Sequence, residues 1–406
     1  MARRRPTQPK DRALSRPPLP RGMTSFEGFR CVDCGTTATG EGATTCPDCN
    51  GALDATYDLD ELVGGPPADR PGDLLPVAPV GMGEGKTPLV EAPRLAEELD
   101  VGALRLKDEG HNPTGSVVDR GMSLVAAAAD DAGADTLALA TTGDAGQSAA
   151  AYAARTGLLS RVFVPSRANF INRAMINVHG GDMRVVEGRY GDARETYETE
   201  REELPAADAE TWFPAGTLES PYRHEGFKPV YYEIAAALGT APDAVVVPVA
   251  HGGVVAAVWK AARELERLGV VDARPRVYAA QPDGCAPVVE AVASGDDPEP
   301  WEVPDTVAGA LEIPAPAAGL PAVEAVRASG GTGVAVGDED ALDSAATVAQ
   351  HAGLEVSVAC GVAVAAAWRL RDDGELAADD TVVVLNTGAG NRDADIVRSR
   401  LMSQGV

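Results

Sequence analysis

At 406 residues the chain has room for two or three domains with sizeable buried cores, and 45% apolar with 24% charged residues is a globular composition. No apolar run approaches the roughly 18 residues that a membrane span needs, and a formal net charge of −26 excludes the body of the chain as a nucleic-acid binder. The only lysines are Lys10, Lys86, Lys107, Lys228 and Lys260, so arginine carries nearly all the positive charge. Such a balance points to a protein that works in concentrated salt, where carboxylate repulsion is screened within a few ångströms; a merely acidic protein is the alternative.

Taken in order, residues 1–25 hold Arg3, Arg4, Arg5, Lys10, Arg12, Arg16 and Arg21 against Asp11, with many prolines and few apolar residues. This predicts a disordered basic arm, or a misassigned start upstream of Met23, and it lacks the apolar stretch of a secretory signal. Residues 26–55 carry Cys31-Val-Asp-Cys34 and Cys46-Pro-Asp-Cys49. Two such knuckles bring four thiolates to one tetrahedral ion with no open position, so a structural zinc ribbon is expected, with disulfides as the alternative. An acidic chain without an export signal is expected to be cytoplasmic, with reduced thiols; Cys285 and Cys360 read as buried thiols.

Residues 56–80 read as a linker, rich in proline and glycine from 64 onward, into a core over 81–400. There, short apolar runs (Thr136 to Ala140, Arg161 to Val164, Ala244 to Val249, Val277 to Ala280, Thr381 to Leu385) read as buried strands. Alanine-rich segments between them (Gln147 to Arg155, Pro229 to Leu238, Val254 to Leu268, Asp340 to His351, Gly361 to Leu370) have helical spacing. Strands alternating with helices predict an α/β fold of doubly wound, mainly parallel sheets.

Residues 107 to 122 read KDEGHNPTGSVVDRGM. With Gly83-Glu-Gly-Lys-Thr-Pro-Leu89, the loop Ala140-Thr-Thr-Gly-Asp-Ala-Gly-Gln-Ser148, Pro221-Tyr-Arg-His-Glu-Gly-Phe-Lys228, Val247-Pro-Val-Ala-His-Gly-Gly253 and Thr387-Gly-Ala-Gly390, this order of landmarks resembles threonine synthases of the archaeal, zinc-ribbon-bearing type and, more broadly, fold-type II pyridoxal-phosphate enzymes. The resemblance covers roughly residues 80 to 395. It implies a fold like that of the tryptophan synthase β-subunit, in two subdomains with the smaller at about 126–212. It also implies elimination and hydration of O-phosphohomoserine on pyridoxal phosphate, and frequent dimers.

The same resemblance marks three departures around one cleft. The family segment is NPTGSFKDRG, so Val118 stands where the Schiff-base lysine belongs, and valine has no nucleophile. Asp144 replaces the asparagine beside the cofactor ring; an ionised Asp144 would repel a substrate carboxylate at Thr141, Thr142 and Gly143, although Asp144 with Gln147 also reads as a helix cap. Ala250 and His251 replace the first half of the glycine-rich phosphate loop, leaving Gly252 and Gly253; His251 reads as an anion donor, an acid/base group or a hydrogen-bonded structural residue. Thr387 keeps the hydroxyl that meets the cofactor's pyridine nitrogen, and Ser116 belongs to the polar turn on the substrate side. Asp119 and Arg120 are adjacent and able to pair.

Three changes in one cleft predict a catalytically divergent paralogue that binds a small metabolite, an amino acid or a phosphorylated compound, or a partner, without lysine-linked pyridoxal phosphate. A homodimer or a heteromer with an active paralogue is the expected assembly. The alternatives are a pyridoxal-phosphate lyase of threonine synthase type, with Lys86 the substitute amine to watch, and new chemistry by His111, Asp144 and His251 around a metal.

Overall fold

The structure, a computed structural model, describes residues 25–39, 42–62, 71–205 and 211–403. The basic arm expected over 1–25 lies outside the described residues except for Ser25.

Three sheets organise the chain. A small antiparallel sheet of β1 (Phe26–Cys31), β2 (Thr37–Ala38) and β3 (Leu53–Tyr57) has the order β2-β1-β3 and carries the cysteine knuckles. A six-stranded sheet is built from β4 (Leu89–Glu91), β5 (Ala103–Asp108), β10 (Ala244–Pro248), β11 (Arg276–Pro282), β12 (Gly333–Val336) and β13 (Thr381–Asn386). Its order is β12-β11-β10-β13-β5-β4, parallel except for antiparallel β4 at one edge. A four-stranded parallel sheet has the order β8-β7-β6-β9, from β6 (Thr136–Ala140), β7 (Leu159–Pro165), β8 (Asp182–Val186) and β9 (Trp212–Pro214).

The five expected strands and five expected helices are all present, with ends shifted by up to three residues. The central runs are legible because parallel strands covered on both faces read as unbroken apolar segments: Val245, Val246 and Val247 are fully buried, as are Val382, Val383 and Val384. Helices such as Gly253–Arg267 and Val358–Asp372 pack on those faces. No described helix is long and apolar enough to cross a membrane.

The fold sets the place of the cleft. In parallel α/β sheets ligands collect beyond the carboxyl ends of strands. Here the segments after β5, β6, β10 and β13, which contain Ser116, Thr141, His251 and Thr387, meet at one cavity.

Candidate ligand cleft

The segment that bears Val118 is held rigidly from both sides. Ser116 bridges Gly388 as an isolated antiparallel pair, the Val117 amide donates to the Thr387 carbonyl at 3.0 Å, and Val118 opens the helix Val118–Asp131. Asp119 and Arg120 do not pair with each other. Asp119 accepts from the Thr114 amide and hydroxyl and from Ser148 at 2.6–2.7 Å. Arg120 turns the other way, to Glu109 and Glu233. Consecutive helical side chains diverge by about 100°, so each found its own partners.

An inner cavity of about 110 Å3 is lined by Val118, Thr141, Asp144, His251, Gly253 and Thr387, among others. An outer cavity of about 190 Å3 shares Thr142, Asp144, Ala310 and Thr387 with it and adds Asn172 and Arg392. Most of the residues singled out from sequence thus converge.

Gly252 caps the helix Gly253–Arg267 with φ +90, where a Cβ would also meet the Ala318 carbonyl oxygen at 2.5 Å. Only glycine suits that turn. The 15-residue helix presents its free amides beside the inner cavity, an arrangement that attracts anions. His251 lines the same cavity, but its Nδ1 accepts from the Ala317 amide at 3.3 Å and its ring meets Tyr190 edge-on at 5.2 Å. Burial, with Arg223 and Arg194 adding to it, pushes its pKa down to about 3. His251 is therefore a neutral ring with its proton on Nε2.

The sequence reading missed Arg223, although it quoted the segment around it. This side chain lines the inner cavity and is 6% exposed; it donates to the Ala215 carbonyl at 2.7 Å and leaves Nε without a partner. No salt bridge to Arg223 exists among the described residues. Burial, opposed by Tyr190 and Glu219, lowers its pKa to about 10. A buried guanidinium without a salt bridge, lining one cavity with a helix N-terminus, is chemically suited to hold an anion.

Asp144 is not the helix cap: Gly143 holds that position at φ +143, and Asp144 is the first helical residue. Its carboxylate is also partnered rather than isolated. Its Oδ1 accepts from Arg392 Nη1 at 2.6 Å and from Asn172 Nδ2 at 2.7 Å. Arg392 lies two residues past Gly390 in the sequence, and nothing local marks it as the partner of position 144.

None of the four described lysines lines either cavity. Lys107 donates to the Thr87 carbonyl at 2.7 Å and to Glu233 at 2.6 Å. Lys228 lies between Glu225 and Glu264 at 2.8 and 2.9 Å, 4.0 Å from the Tyr57 ring centre. Lys260 reaches Asp54 and Glu225 at 2.6 and 2.7 Å. Lys86 is exposed, in a left-handed turn at φ +51 whose amide donates to Glu233.

His111, Asp144 and His251 do not share a metal position. Among the described residues only two groups of ligand-type atoms come within 4.8 Å of one another, and neither includes them; His111 is exposed and pairs with Asp108. One group, Asp54, His224 and Glu225, is already neutralised by the Lys260 ammonium. The other is Cys31, Cys34, Cys46 and Cys49. Neighbouring sulfurs lie 3.4–3.6 Å apart, beyond disulfide bonding and close to the edge of about 3.8 Å for a tetrahedron with ~2.3 Å metal–sulfur bonds. The four thiols can hold one tetrahedral ion.

A family model described as pyridoxal-phosphate dependent enzyme matches residues 80–388, and the chain belongs to that family. Within it, threonine synthase of Methanosarcina acetivorans is 34% identical over 374 residues, covering 89% of this chain and 91% of that protein. Threonine synthase of Mycobacterium bovis is 37% identical over 331 residues, covering 80% and 87%. Among solved structures, a fungal L-serine ammonia-lyase from Rhizomucor miehei matches with a TM-score of 0.67 at 21% identity, over 78% of this chain and 98% of that one, which is a likeness of fold. The chain is threonine-synthase-like, and its mixed, mainly parallel α/β sheets agree with the expected fold-type II architecture.

Proposed function

We propose that this threonine-synthase-like chain is a divergent member that has given up lysine-anchored cofactor chemistry and uses the cleft to bind a small anionic metabolite without a covalent link. The carrying observation is the cavity wall: Val118 stands at the head of its helix, and no described lysine lines the space. A lysine-linked pyridoxal phosphate needs an amine there, and the residues present do not fit one. The class of ligand rests on Arg223 and the amides at Gly253, which suit a phosphate or another compact anion.

The second reading is a working pyridoxal-phosphate lyase of threonine synthase type, and it is favoured by the printed names of the relatives that match most of the chain. An absorbance spectrum with added pyridoxal phosphate, before and after borohydride, followed by peptide mapping, separates the two. The divergent reading expects only the band of free cofactor. A band that borohydride fixes onto one lysine, with Lys86 first to be checked, returns the chain to the lyases.

Two accompanying readings belong here. The Cys31, Cys34, Cys46 and Cys49 cluster is taken as structural zinc, to be tested by metal analysis of the purified protein. The acidic surface is taken as an adaptation to concentrated salt; of the four described lysines only Lys86 is exposed, so surface cations are almost all arginine. A midpoint of unfolding that rises with salt between low and molar potassium chloride supports it, and a flat response removes it.

A further inference from the structure

We infer that Asp144 is a built-in occupant of an anion subsite, so that the ligand of this cleft presents a hydrogen-bond donor there rather than a carboxylate. This deepens the proposed function and rests on it for the existence of a ligand.

Three features converge on the Asp144 carboxylate. It is the first residue of the 13-residue helix Asp144–Thr156, where the helix dipole favours negative charge. The Arg392 guanidinium, with its side chain 7% exposed, donates to Oδ1 at 2.6 Å, and the Asn172 amide donates to the same oxygen at 2.7 Å. Without Asp144 this set, a buried cation, an amide donor and a helix N-terminus, would be an anion site open to the cleft. The chain supplies the anion itself.

Arg392 is not free to serve a second carboxylate. Its Nη2 is turned to the Thr114 carbonyl and lies 3.4 Å from Gln147 Oε1. A ligand carboxylate would have to displace that of Asp144 and leave it stranded near Asp393, whose pKa burial and the Asp144 charge already push up to about 6. Taking Arg392, the buried member of this pair, from Asp144 leaves that half-buried carboxylate without its partner, which is unfavourable.

The observation that points outward is Asn172. It is 5% exposed, it lines the outer cavity, and with Nδ2 committed to Asp144 its Oδ1 has no partner. A buried acceptor left unpaired costs free energy until a donor arrives. Asp144 lines both cavities, so the ion pair and this acceptor stand where the two meet. The ligand class is a compact phosphorylated or similarly anionic molecule, its anion toward Arg223 and a hydroxyl or ammonium toward Asn172.

The test compares the full-length wild type with Asp144→Asn and with Asp144→Asn/Arg392→Gln, using acetate and inorganic phosphate as probes at constant ionic strength and reading the thermal midpoint. In the wild type, phosphate should give a saturable rise; in an Arg223→Met background, where the other anion position is removed, acetate should give none above a chloride control. Asparagine keeps the hydrogen-bonding shape and removes the charge, so Asp144→Asn should bind acetate at least about tenfold more tightly, a factor that Arg392→Gln abolishes. Saturable acetate binding by the Arg223→Met protein with Asp144 intact overturns the inference even if a further variant fails to fold. So does an Asp144→Asn protein that folds and ignores acetate, or an acetate response that survives Arg392→Gln. A lysine fixed by borohydride would sink the proposed function and leave the acetate result unchanged, so the two fail separately.

Discussion

Two sets of buried charges in this molecule follow opposite rules. Behind the cleft, Glu109, Arg120, Lys107 and Glu233 form a closed cluster in which Arg120 reaches Glu109 at 2.6 Å and Glu233 at 2.7 Å. Glu225, Lys228, Lys260 and Glu264 form another between the cysteine-bearing sheet and the core. Inside the cleft, Arg223 is as deeply buried and has no carboxylate within salt-bridge reach among the described residues. The two clusters are closed by their own ion pairs, whereas the Arg223 charge faces the cavity without one.

The comparison breaks first on the closed cluster. Arg120→Met should strand Glu109, which is 0% exposed, and lower unfolding stability in urea by roughly 3–5 kcal/mol; a loss below about 1 kcal/mol would mean that the pairing is not what holds these carboxylates. His251 should give the next largest effect. Its folded pKa of about 3 lies below the unfolded value near 6.5, so its contribution is complete above pH 6.5 and is lost as pH falls toward 3. By pH 5 the wild type should have lost about 2 kcal/mol more than His251→Gln does. Equal acid sensitivity would show that the ring is protonated in place.

Arg223→Met should change stability by only about 1 kcal/mol, because it strands the Ala215 carbonyl and no charge, yet it should abolish stabilisation by phosphate. A large stability loss with phosphate binding intact would place Arg223 with the structural cluster. The smallest stability change is expected for Val118→Lys, within about 1 kcal/mol, since the new amine can extend into the inner cavity. With pyridoxal phosphate, that variant should yield a borohydride-fixed lysine only in combination with Asp144→Asn. Fixation by Val118→Lys alone would show that Asp144 is no obstacle.

How much of this was legible in the sequence depended on distance along the chain. The knuckles at Cys31–Cys34 and Cys46–Cys49, the strand Thr136–Ala140 and the helix Pro229–Leu238 are local patterns, and each appears where its spacing placed it. The antiparallel edge strand Leu89–Glu91 was not read, because two half-buried residues and one exposed residue carry no periodicity. Adjacency misled at Asp119 and Arg120, which point to different partners from consecutive helical positions. The lone Asp144 suggested repulsion because its countercharge lies 248 residues away.

The alternation of strands and helices and the grouping of the four thiols could be read from the sequence alone, since each is set by residue type and short spacing. Which charges are neutralised was settled by the folded arrangement. It joined Arg392 to Asp144, tied Lys107, Lys228 and Lys260 into ion clusters outside the two cavities of the cleft, and left Arg223 without a salt bridge and the Asn172 oxygen without a partner. The reason is physical: the energy of a charge depends on burial and on partners a few ångströms off, and chain order does not encode either directly.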